Sequence, residues 1–427
     1  MCSFIRKDFR LCLSVGIVML MLVVRDVIGV EISDIVVTGI CTLTMLFLKY
    51  EKIVPFIFFL FPIMCGVPGY IISVAYILLV LKGPHIKLVQ IVPLIIVAVL
   101  ELINESFRSY TGLYTGILSF LSFTAVFFYF LDERFRNGYS LQKSLLFYGI
   151  GTSFVFLVIF INMFQEYGVD AILGGMLRSG ALGVENNDVT KMRGHLALNS
   201  NTIAYMAVSV VTIFSVLLQR IKENRLLYVA IILICFVSGL LSFSRTYILT
   251  LALFFVLFFA KSNGANKIKL TFLILIVGCA CLYLFSDAVF AIMDTFVGRS
   301  EEGNIATAGQ RTILFSLYNK AWFSDLKYVL FGAGTVSYFP ELHVYNAMHC
   351  GLQQIWVCLG ISGLLLYSVR TTAFLKHVYC GQMILYLPFV ITFIMDQSIQ
   401  FLAPYPLVLV LLTTMLLPKI VFENENQ

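Results

Sequence analysis

The apolar run IVPFIFFLFPIMCGVPGYIISVAYILLVLK, residues 53–82, decides the transmembrane topology expected for this chain. It is about 30 residues long, whereas one membrane-spanning helix needs about 20. Pro62, Gly66, Pro68 and Gly69 interrupt it near its middle. Lysines flank both of its ends, and lysine and arginine collect on the cytoplasmic side of membranes. We therefore expect a hairpin of two short spans whose ends lie on one side.

The composition predicts an all-α, polytopic integral membrane protein. The chain has 427 residues, of which 60% are hydrophobic and 12% charged, against about 45–50% and 25% in soluble domains. We expect about 12 to 14 transmembrane helices; with the two helices of the hairpin, the apolar stretches of spanning length give 14, with both termini inside. The remaining predicted spans are 11–30, 32–48, 86–104, 110–131, 144–163, 199–219, 225–242, 246–260, 268–286, 347–369, 378–395 and 399–418.

These spans divide the chain into five segments. N-terminal helices occupy 1–163, central helices 199–286, and C-terminal helices with a cytoplasmic tail 347–427. Two extracytoplasmic loops separate them, a first at 164–198 and a large one at 287–346. The net charge of +6 lies mostly in short loops that we predict to be cytoplasmic. It therefore does not indicate a nucleic-acid partner, and membrane lipids are the expected surroundings.

The large loop is basic although it is predicted to face outward. Within it, QRTILFSLYNKAWF (310–323) forms an amphipathic pattern that is typical of a helix at the membrane interface. The residues on its apolar face are Leu314, Leu317, Tyr318, Ala321 and Trp322. Cations on the outer side do not serve orientation. They suit an anionic, lipid-linked substrate at the membrane surface.

Arg245, in SFSRTYIL, is the first candidate site residue because it lies at the outer start of a predicted span. It has no acidic neighbour in sequence, and a guanidinium can bind a phosphate through two hydrogen bonds. A snorkelling anchor at the helix boundary is the alternative. Arg311 opens the amphipathic helix, where helix N-termini attract anions, and Arg193 is a third candidate. For both, a solvated loop charge is the alternative.

His349 begins a predicted span and is the candidate general base, since histidine titrates near neutral pH. A histidine that only forms hydrogen bonds is the alternative, and the same holds for His343. Glu341 is an outer carboxylate that could act as a base or pair with an arginine. The sequence has no GxxxxGK[ST] phosphate loop, HExxH or carboxylate cluster. We therefore expect a reaction that uses neither metal nor cofactor.

Four motifs, taken together, resemble the O-antigen polymerase and O-antigen ligase superfamily. They are the Arg245–Leu249 segment, the segment GHLALNSN with Gly194, Asn199 and Asn201, the stretch with Gly309, Arg311, Phe331, Gly332 and Gly334, and His349 followed by Gly360 and Gly363. Cys350 stands where that family usually has Asn or Ser. The resemblance covers Arg193 to Leu366 well.

The resemblance implies a GT-C-like glycosyltransferase in a bacterial cytoplasmic membrane, with its active site facing the periplasm or exterior. Such enzymes act on oligosaccharides linked through diphosphate to undecaprenol and are thought to need no metal. It implies catalytic roles for Arg245, Arg311 and His349, and substrate contacts by Arg193, Asn199 and Asn201. Glu341 and His343 are further candidates for substrate binding.

A polymerase of O-antigen or capsular repeat units is the leading interpretation of this resemblance, with a chain-length regulator as a possible protein partner. A ligase that transfers the finished glycan to another acceptor is the first alternative. A flippase or exporter of the same lipid-linked glycan is the second, and it would place its cations in a central cavity. A structural or signalling membrane protein would leave the outer arginines unexplained.

Overall fold

The structure, a computed structural model, is all-α over the residues that it describes, and no strand occurs among them. Those residues are 8–67, 70–82, 138–173, 196, 198, 200–218, 224–261, 283, 286, 290, 293, 294, 311–332, 350, 353, 356, 357, 360–362, 364 and 365. The predicted spans 86–104, 110–131, 378–395 and 399–418 lie outside them, as does most of 268–286 and 347–369. The total number of transmembrane helices therefore stays a prediction.

The N-terminal part contains the predicted hairpin. Its helices are α1 (Phe9–Asp26), α2 (Asp34–Phe47), α3 (Tyr50–Ile63) and α4 (Tyr70–Lys82). The apolar run is thus two helices, as the sequence predicts. The Nζ atom of Lys82 donates to the carbonyls of Met45 and Leu48, at 3.3 and 2.9 Å. Because those carbonyls end α2, just before α3 begins, both flanks of the hairpin lie at the same end.

Helix α5 (Gly138–Leu173) packs along α3 and completes its burial. Every residue of α3 from Ile53 to Ile63 is buried. Gly151 permits the approach, since a Cβ there would lie 2.4 Å from the carbonyl oxygen of Phe59. The helix continues past the predicted span boundary at 163, with a kink at Gly168 (φ 78°). Among the described residues, Gln142–Asp170 is the one helix long and apolar enough to cross a membrane.

Three further helices form an up-down-up meander against α5: α6 (Ser200–Leu218), α7 (Arg225–Leu241) and α8 (Arg245–Lys261). The predicted spans match them within one or two residues. Phe214, late in α6, packs against Tyr228, early in α7, with ring centroids 5.1 Å apart. Arg225 also donates to the carbonyl of Leu218, at 3.2 Å. These contacts make α6 and α7 antiparallel, so the first residues of α6 and α8 lie at the same end.

Ionic clusters mark the two ends of this bundle. At one end, which we name the lysine end, the buried carboxylate of Asp8 pairs with the ammonium groups of Lys52 and Lys143. Tyr228 is hydrogen-bonded to Gln142, beside Lys143, so α7 also begins at the lysine end.

The other end, which we name the Arg245 end, contains a second buried ion pair. Arg25 is bidentate on Asp26, with both bonds 2.9 Å long, and also donates to the carbonyl of Gly66 in the α3–α4 turn. Helix α7 is 17 residues long, so its two ends are about 25 Å apart. Arg245, which follows α7, therefore lies on the end opposite the lysines.

The outward faces of these helices are apolar. Leu13, Ile17 and Leu20 are exposed along α1, and Leu226, Leu233 and Val237 along α7, with Leu226 84% exposed. Water-facing helices normally carry charged residues on this side. An apolar exterior around an apolar core is typical of helices that contact lipid.

A helix is present where the sequence predicts one, α9 (Arg311–Phe323), followed by the short α10 (Leu326–Phe331). On its predicted apolar face Tyr318 and Ala321 are buried, whereas Leu317 is 39% exposed. The buried part of that face contacts protein rather than lipid, as the site shows.

Candidate functional site

Arg245 follows a tight, buried turn between α7 and α8. Ser242, Phe243 and Ser244 are all 0–1% exposed. Phe243 has φ 49°, a left-handed conformation that costs a residue with a Cβ about 1–2 kcal/mol. The carbonyl of Ser244 accepts from the backbone N–H of Tyr247 at 3.1 Å, which makes Arg245 the first residue of α8. Burial of the Phe243 ring offsets this strain and fixes where α8 starts.

Tyr247 connects the start of α8 to α7 through a hydrogen bond and through packing of its ring. Its hydroxyl donates to the carbonyl of Phe236, at 3.1 Å, and the residue is 1% exposed. The ring lies directly over Gly239, where an added Cβ would come within 2.2 Å of it. The backbone of Arg245 is thereby held at a defined position, with the N-terminal N–H groups of α8 around it.

The other predicted residues near this end belong to the start of α6. Asn201 lies in the first turn of that helix, and Leu196, just before the helix, is buried in the core. Since α6 and α8 are parallel, Asn201 and Arg245 begin helices at the same end. Arg193 and Asn199 lie outside the described residues.

Helices α9 and α10 form a compact unit that begins at Arg311. The indole N–H of Trp322 donates to the carbonyl of Tyr328 at 2.8 Å and ties the two helices together. Asp325 caps α10 by accepting from the backbone N–H of Lys327 at 2.9 Å. The helix ends at Gly332, whose φ of 81° favours glycine.

This α9–α10 unit packs on the segment that follows His349. The side-chain amide of Gln353 donates to the carbonyl of Phe315 at 2.8 Å and to Oδ1 of Asn319 at 3.1 Å. The Trp356 ring lies 6.1 Å from Phe315 and 6.3 Å from Trp322, centroid to centroid.

A second contact joins two glycines that the sequence analysis singled out. Gly360 has φ 65°, and a Cβ there would lie 2.6 Å from the backbone nitrogen of Gly332. It would lie equally close to the carbonyl of Leu330. The backbones approach so closely that only glycine fits at 360. The structure therefore brings together the third and fourth segments of the resemblance.

For several predicted site residues, the structure does not describe the side chain. His349, Glu341 and His343 are outside the described residues. The side chains of Arg245, Arg311 and Asn201 are outside them too, although their backbones are described. Among the described residues, no group of three His, Cys, Asp or Glu could hold a metal ion. The roles predicted for these side chains therefore stay predictions.

Comparison with protein-family models, curated proteins and solved structures finds no match to this chain. The resemblance stated above consequently rests on its own motifs.

Sequence reasoning did not single out the residues that hold these segments in place. Gln353 and Asn319 are not among the predicted site residues, and the one available signal is the pair of amides, Gln353 and Gln354, in the otherwise apolar run CGLQQIWVCLG (350–360). Gly239 and Tyr247 carried no signal, because small and aromatic residues are common throughout apolar helices. Asp8 stands among basic residues at the N-terminus, and its position in the sequence does not indicate a buried ion pair with Lys52 and Lys143.

Proposed function

We propose that the chain is a multi-pass protein of a bacterial cytoplasmic membrane, with the lysine end cytoplasmic and the Arg245 end outside. The apolar exterior of α1 and α7 supports insertion in lipid. Lys52, Lys82 and Lys143 collect at one end, and positive charge is retained on the cytoplasmic side. Arg245 then faces outward.

We further propose that it is a GT-C-like polymerase of polysaccharide repeat units. It joins undecaprenyl-diphosphate-linked oligosaccharides into O-antigen or capsular chains on the outer face, with a chain-length regulator as a possible partner. One observation carries this proposal: α9–α10 packs on the segment after His349. Two segments that the resemblance assigns to one active site are thereby neighbours, although 34 residues separate Asn319 from Gln353.

In the proposed reaction, the hydroxyl oxygen of the acceptor sugar forms a bond to the anomeric carbon of the donor repeat unit. The bond between that carbon and the diphosphate oxygen breaks, and its electron pair leaves with undecaprenyl diphosphate. The acceptor proton goes to His349. Arg245 and Arg311, with Arg193 in support, stabilise the departing diphosphate. Asn199, Asn201, Glu341 and His343 contact the glycan or the diphosphate, and no metal or cofactor takes part.

Glycan display in a deletion strain tests this function. The strain is complemented with wild type, Arg245→Ala, Arg311→Ala or His349→Ala, and the level of each protein in the membrane is measured. We expect the polymer ladder to collapse to a single repeat unit in all three variants, since one well-placed cationic donor is worth about 3–4 kcal/mol. Ser316→Ala, at an exposed position of α9, is the control and should retain the full ladder.

The same experiment separates the alternatives. Long polymer that stays on undecaprenyl diphosphate would identify a ligase. Repeat units that accumulate on the cytoplasmic side would identify a flippase. Normal ladders in all three variants would exclude these residues from the chemistry.

A further inference from the structure

Gln353 is a polar side chain buried against α9. It is 1% exposed, and Tyr318 and Ala321, on the α9 face that packs inward, are 0% and 3% exposed. A carbonyl oxygen only accepts, so the contact to Phe315 requires that the amide nitrogen of Gln353 faces α9. Buried hydrogen bonds of this kind are costly to leave unmade, at about 1–3 kcal/mol for each group.

The residues joined by Gln353 lie close in sequence to those proposed for the chemistry. Phe315 is four residues after Arg311 on α9, which is one helical turn or about 6 Å. His349 precedes Gln353 by four residues in the sequence. The bond from Gln353 to Phe315 therefore connects the first turn of the helix that begins at Arg311 to the segment that follows His349.

Aromatic contacts surround these hydrogen bonds, but only the hydrogen bonds give the connection a direction. Trp356 packs edge-on against Phe315, with the ring planes at 79°, and also contacts Trp322. These aromatic contacts hold the two surfaces together but tolerate sliding, because apolar contact is not directional. Hydrogen bonds to one carbonyl and one side-chain oxygen have fixed lengths and angles. Gln353 thus sets the register of α9 against the segment that follows His349.

We propose that Gln353, with Asn319 as its partner, is a positioning residue for glycosyl transfer. It keeps the helix that begins at Arg311 in a fixed register against the segment that follows His349, so that the two proposed groups can act in one reaction. This inference rests on the proposed function of the site. Misplacement of a reacting group by about 1 Å can lower a rate about a hundredfold, so two hydrogen bonds at this position have a large effect on turnover.

The test uses purified full-length protein and the lipid-linked repeat unit extracted from a strain that lacks the gene. Gln353→Leu removes the amide nitrogen that donates both hydrogen bonds and replaces the glutamine with an apolar side chain of similar length. We expect kcat to fall about tenfold to a hundredfold, with KM changed less than about threefold, because the substrate contacts themselves remain. Asn319→Leu keeps the bond to Phe315 and should lose less. Ser316→Ala is the matched control on α9 and should behave as wild type.

A rescue variant distinguishes positioning from general destabilisation. Gln353→Lys and Asn319→Asp each introduce one buried charge, and each single variant should be impaired. The double variant pairs the new ammonium with the new carboxylate and restores a donor to the carbonyl of Phe315. We expect its kcat to exceed that of either single variant by about tenfold, as a coupling within one interacting pair.

An assay that does not depend on activity follows the packing of α9. Trypsin cleaves after Lys320 and Lys327, and its access rises when the helix opens locally. Gln353→Leu should be cut there several-fold faster than wild type, with cleavage at the other tryptic sites unchanged. Faster cutting with unchanged kcat, or no change in either, would overturn the positioning role. An inactive wild-type protein that is folded would overturn the proposed function itself, and the positioning role with it.

Discussion

The packing of Tyr247 on Gly239 fixes the conformation of the turn between α7 and α8, which precedes Arg245. The Tyr247 ring occupies space that any other residue at 239 would fill. Its hydroxyl satisfies the carbonyl of Phe236. The strained Phe243 lies between them in the chain. Strain of this type persists only where the surrounding packing determines the conformation, and it clusters at functional sites.

We predict that Gly239→Ala destabilises the protein by about 1–3 kcal/mol, the usual cost of overpacking a core. Gly16→Ala is the matched control, because Gly16 also lies inside a helix and no atom is within 4 Å of its added Cβ. The control should be neutral or up to about 1 kcal/mol more stable, since alanine favours the helix. Denaturation in detergent measures both. Equal effects at 239 and 16 would contradict the close packing.

At the scale of elements, α9–α10 is attached to the rest of the chain at its two ends by different means. Gln353 holds the α9 side through hydrogen bonds. Gly360 holds the α10 side through direct contact of backbones. Removing one attachment should therefore leave the other in place.

Gly360→Ala should displace α10, because the new Cβ meets the backbone of Leu330 and Gly332 rather than a flexible side chain. The positive φ of Gly360 adds about 1–2 kcal/mol of strain for alanine. We expect tryptic cleavage at Lys327 to become several-fold faster, as mapped by mass spectrometry. Gly39→Ala, with open space around its Cβ, is the control. Unchanged cleavage in Gly360→Ala would argue against this attachment.

The elements themselves were largely predictable, and their attachments were not. Apolar length and polar breaks gave α6, α7 and α8 within two residues, because a helix inside a bundle is determined by its own apolar surface. Helix α5 continues past residue 163 to the kink at Gly168 because Gln165 and Glu166, which favour a loop, can remain helical at an exposed surface. The bond from Gln353 to Phe315 has no local pattern, since tertiary packing selects which turn of α9 the amide meets.

At the scale of the whole molecule, the ionic clusters divide the bundle into two chemically distinct ends. Asp8 with Lys52 and Lys143 lies at one end, and Arg25 with Asp26 lies at the other. Helix α1 connects them and is 18 residues long, or about 27 Å. This length approaches the thickness of the hydrocarbon core of a bilayer, about 30 Å.

Labelling of single cysteines in intact cells tests this two-sided arrangement. In a variant without native cysteines, Ser33→Cys introduces a thiol at the Arg245 end and Lys49→Cys one at the lysine end, both at exposed positions. A membrane-impermeant maleimide should label position 33 in intact cells and position 49 only after permeabilisation, because the lysines remain cytoplasmic. Labelling of both positions in intact cells would refute the proposed orientation.

The Asp8 cluster also sets an order of events during synthesis. Its carboxylate meets Lys52 early, but Lys143 is made roughly 90 residues later, which takes about 5 to 18 s at the usual rate of translation. Until α5 arrives, α3 lacks the partner that covers it and Asp8 lacks its second cation. The nascent N-terminal helices therefore reach their final packing only after α5 has been made. A chaperone that binds these helices during that interval would raise the yield of folded protein.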